Sequence, residues 1–149
     1  MNASNYVSQS SIRVRYQETD QMGIVYHSNY LVWFEIGRTA YTHDLGYSYR
    51  ELEKLGVMLP LIEVKANYRA PARYDDEVIV YTTCTEASGS RLIFEYEVKR
   101  KRDDVLLTTG HSIHVWVNKE MKRVNMKEKF PDLFATLVAS TTPKGRDRR

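Results

Sequence analysis

The densest run of chemically capable side chains in this 149-residue sequence is Glu18-Thr19-Asp20-Gln21-Met22-Gly23-Ile24-Val25-Tyr26-His27-Ser28-Asn29-Tyr30. A carboxylate, Asp20, precedes an aromatic-rich segment, and Gly23 between them allows a sharp backbone bend. If a helix begins near Ser28, its free amides carry partial positive charge and can hold the oxygen of a polarised carbonyl while the carboxylate acts on the carbon. One such donor is typically worth ~3–4 kcal/mol of activation energy. The plainer alternative is a turn in which Asp20 bonds only backbone amides, a common use of aspartate. Spacing alone favours that plainer reading.

The other reactive residue types point to less. His111 and His114 sit three apart, but in a strand such residues face opposite sides, so no metal site is expected from them. His43 falls near the end of the helix read below and suits its negative end better than a metal. Cys84 is the only cysteine; it lies in a strand-like segment and reads as packed rather than reactive. No phosphate-binding glycine loop, nucleophile-elbow serine or cysteine cluster occurs. No cofactor is expected.

The elements that must position Asp20 follow from periodicity. Ile12, Val14 and Tyr16 alternate with Arg13 and Arg15, predicting a half-buried first strand that ends near Tyr16. Gln17 to Ser28 reads as a loop leading into a helix capped by Ser28 or Asn29, with Tyr30, Trp33, Phe34, Gly37 and Tyr41 recurring at threes and fours on one face. Gly46 stops it. Ser48 and Glu51 have capping-box spacing for a second short helix, which Gly56 closes. Strand patterns then fill Leu61 to Tyr68, Val78 to Thr85, Leu92 to Lys99, and one long strand from Val105 to about Asn118. Ser88-Gly89-Ser90 and Arg102-Asp103-Asp104 are short connections, which favour antiparallel neighbours. Pro131, with Leu133, Phe134 and Leu137 behind it, predicts a terminal helix. One long helix and an antiparallel sheet imply an α+β fold in which the sheet wraps the helix. Unpaired sheet edges need protection, so at least a dimer is expected.

Composition sets the outer bounds. At 149 residues and 42% hydrophobic, the chain suits a single domain, read here as residues 1–140, with 141–149 as a disordered basic tail. Lys144, Arg146, Arg148 and Arg149 against Asp147 account for the whole formal charge of +3, so the domain itself is close to neutral and no nucleic-acid partner is expected. The longest apolar run is Tyr30 to Phe34, far short of a membrane span, and Met1 to Asp20 lacks the apolar core of a secretory signal. With a lone cysteine, these features suggest a cytoplasmic protein with no membrane partner.

On the segment from Asp20 to Tyr30 the sequence resembles the hot-dog-fold thioesterases of the 4-hydroxybenzoyl-CoA thioesterase type, which carry Asp-x-x-Gly-x-Val-x-(His or Tyr)-x-x-Tyr. The matching residues are Asp20, Gly23, Val25, His27 and Tyr30. Trp33, Glu35, Arg38, Gly46 and the run Pro71-Ala72-Arg73-Tyr74-Asp75-Asp76 extend the likeness, which covers about Ile12 to Asn118. The resemblance implies a hot-dog fold, dimers that often pair into tetramers, and hydrolysis of acyl-CoA thioesters. It places the catalytic carboxylate on Asp20 and the oxygen-holding amide at or beside His27, with Gly23, Tyr26 and Tyr30 around the bound substrate. Asp20 would attack the carbonyl as nucleophile or activate water as general base. The His27 imidazole could touch substrate, or its amide alone could serve. Tyr30 and Glu35 line the pocket or hold the helix, and Glu35 with Arg38 could be no more than an ion pair. Arg69, Arg73, Arg91 and Lys99 are the cations available for the coenzyme A phosphates. Two further readings are an acyl-carrier-protein thioesterase and a non-catalytic acyl-CoA binding module. A third, nucleic-acid binding through the tail, requires salt-sensitive affinity.

Overall fold

The computed structural model describes residues 5–143. In chain order the elements are β1 (Ser8–Arg13), a 3₁₀ turn (Tyr16–Glu18), α1 (Asn29–Asp44), α2 (Tyr49–Lys54), β2 (Val57–Met58) and β3 (Leu61–Tyr68). They continue with β4 (Glu77–Ala87), β5 (Arg91–Arg100), β6 (Val105–Val115), β7 (Val117–Asn118), α3 (Met126–Lys129) and α4 (Pro131–Ser140). Five strands form one antiparallel sheet in the order β1-β4-β5-β6-β3, and β2 pairs with β7 separately. The sheet wraps α1, the α+β hot-dog arrangement.

The core forms where the two periodicities meet. Tyr30, Trp33, Phe34, Gly37 and Tyr41 are the buried face of α1. Val78, Val80, Thr82 and Cys84 of β4, with Leu92, Phe94, Tyr96 and Val98 of β5, face it at every second position. Phe34 stacks on Tyr96 at 4.3 Å between centroids, and Tyr41 meets Phe94 edge-on at 5.5 Å. Gly37 permits the close approach: a Cβ there would run into Thr82 Oγ1 and come within 2.9 Å of Val80. At the far end, Gly46 turns left-handed at φ +100, and the Gly46 and Tyr47 amides donate to His43 and Thr42 carbonyls, closing α1 with a Schellman motif. The Ser48–Glu51 capping box forms in both directions, at 3.1 and 2.9 Å.

Three sequence expectations are corrected. The first strand lies further toward the N-terminus: Ser8 pairs with Thr82 and Ile12 with Val78, while Tyr16 is on the 3₁₀ turn and 74% exposed. Polar Ser8 faces inward in β1 and donates to Asp44, at the end of α1, at 2.7 Å; Tyr6, just before the strand, donates to the same carboxylate at 2.5 Å. Hydrophobic alternation cannot register a strand held that way. The long final strand is broken at Trp116, whose amide donates to Ser90 rather than continuing the ladder; β6 ends at Val115, and β7 turns to pair with β2. The start of α1 also differs from its expected capping, with consequences for the site described below. Thr141 and Thr142 bond to Asn5 and Cys84 through the backbone, and the basic residues of the tail lie outside the described residues.

A polar chain crosses the core on the inner face of the sheet. His114 and Ser112 are fully buried and Tyr96 nearly so. His114 Nδ1 lies 3.2 Å from the Leu59 carbonyl, an acceptor, so Nδ1 carries the hydrogen and Nε2 accepts from Ser112 Oγ at 2.8 Å. Ser112 Oγ can then accept from the Tyr96 hydroxyl at 2.6 Å. Burial, and secondarily the Arg38 charge, lower the His114 pKa from 6.5 to about 4. The imidazole is therefore neutral in the folded protein at pH 7.

His114 gains a proton more readily when unfolded, so its contribution is fully present above pH 6.5 and is lost as pH falls toward 4. Urea titrations across this range should show about 3 kcal/mol of His114-linked stability disappearing. In His114→Gln this portion of the slope should be absent; an unchanged slope would contradict the assignment.

Candidate active site

Asp20 opens a tight hairpin. Thr19 bridges to Val25, the Asp20 amide donates to the Ile24 carbonyl at 2.9 Å, and the Gly23 amide returns to the Asp20 carbonyl at 2.9 Å. Gly23 takes φ +79 with no atom near a would-be Cβ, so backbone conformation rather than crowding calls for glycine. This is a turn followed by a left-handed bulge residue. Asp20 Oδ1 accepts from the Met22 amide at 2.8 Å, so the plainer reading of Asp20 as a turn aspartate is realised. That bond engages one carboxylate oxygen. Among the described residues the other has no hydrogen-bond partner, and the residue is partly exposed.

The hairpin's return arm runs directly into α1, whose start lacks a side-chain cap. Ser28 has helical backbone angles, φ −66 and ψ −21, which turn its side chain away from the capping position. The Asn29 side chain is used elsewhere, donating to the Glu18 carbonyl at 2.9 Å. The Asn29, Tyr30 and Leu31 amides donate to the carbonyls of Tyr26, His27 and Ser28. Among the described residues the His27 and Ser28 amides have no protein acceptor. They stand at the positive end of a 16-residue helix, on the same hairpin as the Asp20 carboxylate.

Glu18 fastens this arrangement, and sequence reasoning did not assign it a role. The residue is 4% exposed. Oε1 accepts from the Arg15 amide at 2.8 Å, Oε2 accepts from the Trp33 indole N–H at 3.1 Å, and the Arg15 guanidinium stands 3.5 Å away. The Glu18 carbonyl accepts from the Tyr26 amide and from Asn29. Trp33 is fifteen positions along the chain, so no local spacing signals the contact.

The named aromatic residues form a connected series. The Tyr26 and His27 rings lie 4.3 Å apart, His27 and Tyr68 6.3 Å, Tyr68 and Tyr30 5.4 Å, and Tyr30 and Trp33 4.7 Å. The Tyr68 hydroxyl donates to the His27 carbonyl at 3.1 Å, a second contact that spacing did not reveal. Tyr26 and His27 are exposed; Tyr30 is buried, its pKa raised by burial, and its hydroxyl oxygen accepts from the Ala72 amide at 3.2 Å. The Ala72 carbonyl accepts from Val25, and Arg73 bridges to Ile24, so the loop after β3 clasps the hairpin.

Other candidates separate from the site. Among the described residues Glu35 and Arg38 form no ion pair; Arg38 lies instead near Tyr49, Tyr96 and His114. Arg91 pairs with Glu86 at 2.8 Å, and Lys99 lies 3.9 Å from Asp104 and over the Tyr81 ring. Arg69 and Arg73 are exposed and without an ion pair among the described residues. His111 bonds Glu63 at 2.8 Å, whereas His114 points into the core. Cys84 is fully buried and its thiol pKa is raised to about 12, mainly by desolvation. His43 lies exposed on the last turn of α1.

A long central helix wrapped by an antiparallel sheet defines the hot-dog class. The thioesterase-like superfamily model matches residues 14–135, and the chain belongs to that family. Bacillus subtilis YneP, provisionally described as an acyl-CoA thioesterase, is 40% identical over 85% of this chain and 92% of its own length. The acyl-CoA thioesterase YbgC of Haemophilus influenzae is 33% identical over 60% of this chain and 66% of its own. The crystal structure of a DHNA-CoA thioesterase from Staphylococcus aureus superposes with a TM-score of 0.84 at 33% identity, covering 89% of each chain.

Removing the Glu18 carboxylate should leave the buried indole N–H and the Arg15 amide unpaired. Glu18→Ala is expected to lose about 2–3 kcal/mol in urea unfolding, and Glu18→Gln, which retains an acceptor oxygen, should lose less. Equal stability of Glu18→Ala and the unsubstituted protein would contradict this role.

Proposed function

We propose that the protein hydrolyses acyl-CoA thioesters, with Asp20 acting on the thioester carbon and the His27 amide, assisted by that of Ser28, holding the carbonyl oxygen. The observation that carries this reading is that one hairpin holds both the uncapped helix start and a carboxylate with one oxygen unpartnered among the described residues. In the general-base route Asp20 takes a proton from water, whose oxygen attacks the carbonyl carbon. The resulting oxyanion is held by the amides; the carbon–sulfur bond then breaks, and the thiolate leaves with the proton from Asp20. In the nucleophilic route the Asp20 oxygen attacks first, the carbon–sulfur bond breaks and the thiolate leaves, taking a proton from solvent; water then hydrolyses the mixed anhydride, releasing the acid and restoring the Asp20 carboxylate. The description of YbgC as an acyl-CoA thioesterase supports the substrate class. Tyr26 and the His27 ring flank the mouth, while Gly23 and Tyr30 set the hairpin and its support.

The working unit we propose is at least a dimer. Among the described residues β3 pairs with β6 alone, leaving its other edge open, and Leu61, Ile62 and Tyr68 on it are exposed. Apolar Leu31, Val32 and Ile36 on the outer side of α1 are exposed as well. Among the described residues no helix is long and apolar enough to cross a membrane, and we place the enzyme in the cytoplasm. Light scattering should give at least twice the 17.4 kDa chain mass, and Ile62→Lys should reduce it. A single-chain mass for the unsubstituted protein would contradict the dimer.

The reaction itself is tested by thiol release from short, medium, long and aromatic acyl-CoAs. Asp20→Asn, folded by circular dichroism, should lower kcat/KM at least about 100-fold. Retained activity would remove Asp20 from the reaction; no release by the unsubstituted protein from any acyl-CoA would overturn this reading and favour a carrier-protein substrate or a binding role.

A further inference from the structure

Two tyrosines beside the hairpin are exposed far beyond what packing explains. Tyr16 is 74% exposed and Tyr74 58%, yet their rings meet edge-on at 90° with centroids 5.8 Å apart. Among the described residues neither hydroxyl forms a hydrogen bond, so the pair is not held for its polar atoms. The backbone beneath them is well fastened. The Tyr16 carbonyl accepts from the Thr19 amide and hydroxyl at 3.0 and 2.6 Å, immediately before Asp20. Tyr74 follows Arg73, which bridges to Ile24 on the hairpin's return arm. Val14 joins the two segments, donating to the Asp76 carbonyl and accepting from the Asp75 amide. The aromatic pair is therefore mounted on the two strips of chain that clasp the candidate active site.

The charge around it fits an anion. Arg73, adjacent to Tyr74, is exposed and has no ion pair among the described residues. The Arg15 side chain is 63% exposed and only 3.5 Å from one Glu18 oxygen, leaving most of its donors outward. A cleft of about 430 Å³ at the Asp75-Asp76 turn is lined by both of those residues and by Glu77, Arg13, Arg100, Lys101 and Arg102. There the cations already face carboxylates: Arg13 and Lys101 each lie 3.4 Å from Glu77, Arg102 2.8 Å from Asp76, and Arg100 3.1 Å from Asp103. The cations of that cleft face carboxylates, whereas Arg73 beside the tyrosine shelf has none within ion-pair distance among the described residues; Asp75, on the other side of Tyr74, is exposed with Arg13 3.9 Å away.

Exposed aromatic faces beside a free guanidinium suit a flat nucleobase carrying phosphates. Coenzyme A presents that group: adenine with ribose and diphosphate phosphates, joined to the thioester by a flexible arm. Resting on the acyl-CoA hydrolase reading, we propose that Tyr16 and Tyr74, with Arg73, bind the 3′-phosphoadenosine diphosphate end of coenzyme A while its thioester reaches Asp20. A carrier-protein thioester has the same arm without the base, so the shelf would set preference for the coenzyme.

The test pairs substrate truncation with protein truncation. The Tyr16→Ala/Tyr74→Ala double variant should raise KM for an acyl-CoA so that its loss in kcat/KM exceeds the loss with the matching acyl-pantetheine at least about fivefold. Tyr16→Phe/Tyr74→Phe should retain the stacking and recover most of the difference, and Arg73→Gln should show a smaller selective loss. Calorimetry with adenosine 3′,5′-bisphosphate provides a readout independent of hydrolysis: binding to the unsubstituted protein should weaken at least about fivefold in the double Ala variant. Equal loss on both substrates, or binding of the bisphosphate that is absent or unweakened, would overturn the shelf. Were neither thioester hydrolysed by the unsubstituted protein, the hydrolase reading would fail, and the bisphosphate measurement would still decide whether the shelf binds a nucleotide.

Discussion

The buried carboxylate of Glu18 is the contact on which the site depends. A charge taken out of water needs donors close by, and Glu18 finds them in the Arg15 amide, the Trp33 indole and the Arg15 guanidinium. Those donors come from Arg15, just ahead of the 3₁₀ turn, and from the buried face of α1, so satisfying the carboxylate fixes the angle at which the helix leaves the hairpin. The Glu18 carbonyl adds Tyr26 and Asn29 to the same node. With the node in place, Asp20 at the hairpin's head and the helix start at its return arm have a set relation.

That relation is maintained at some cost to the helix. A helix of 16 residues ordinarily gains about 1 kcal/mol from an N-terminal side-chain cap, but here Ser28 makes no cap bond and the Asn29 side chain donates to the Glu18 carbonyl instead. Among the described residues the His27 and Ser28 amides are left without protein acceptors, where the proposed mechanism would hold the oxyanion. Local rules that fail beside a carboxylate, while holding at the Schellman end of α1 and the capping box of α2, are the pattern expected when function competes with stability.

Much of the fold was legible because periodicity is a local property. The α1 stripe from Tyr30 to Tyr41 and the alternation in β4 and β5 needed no tertiary information, and the family motif directed attention to Asp20 and His27. The elements misread were those whose burial is polar or whose partner is distant. Ser8 faces inward on account of Asp44, a residue of another element, so alternation places the first strand too far toward Tyr16. The break at Trp116 depends on where β2 lies. Glu18 and Tyr68 escaped for the same reason: their partners, Trp33 and His27, are set by the folded path rather than by spacing.

The central claim is geometric, that one hairpin presents a carboxylate to the carbon and free amides to the oxygen of a thioester. The most direct test is a crystal structure with a non-hydrolysable acyl-CoA in which a methylene replaces the thioester sulfur. The ketone oxygen should lie about 2.7–3.1 Å from the His27 or Ser28 amide nitrogen, with its carbon within about 3.5 Å of an Asp20 oxygen or of a water held by it. A carbonyl bound elsewhere, with those amides still unpartnered and Asp20 turned only toward Met22, would contradict the account.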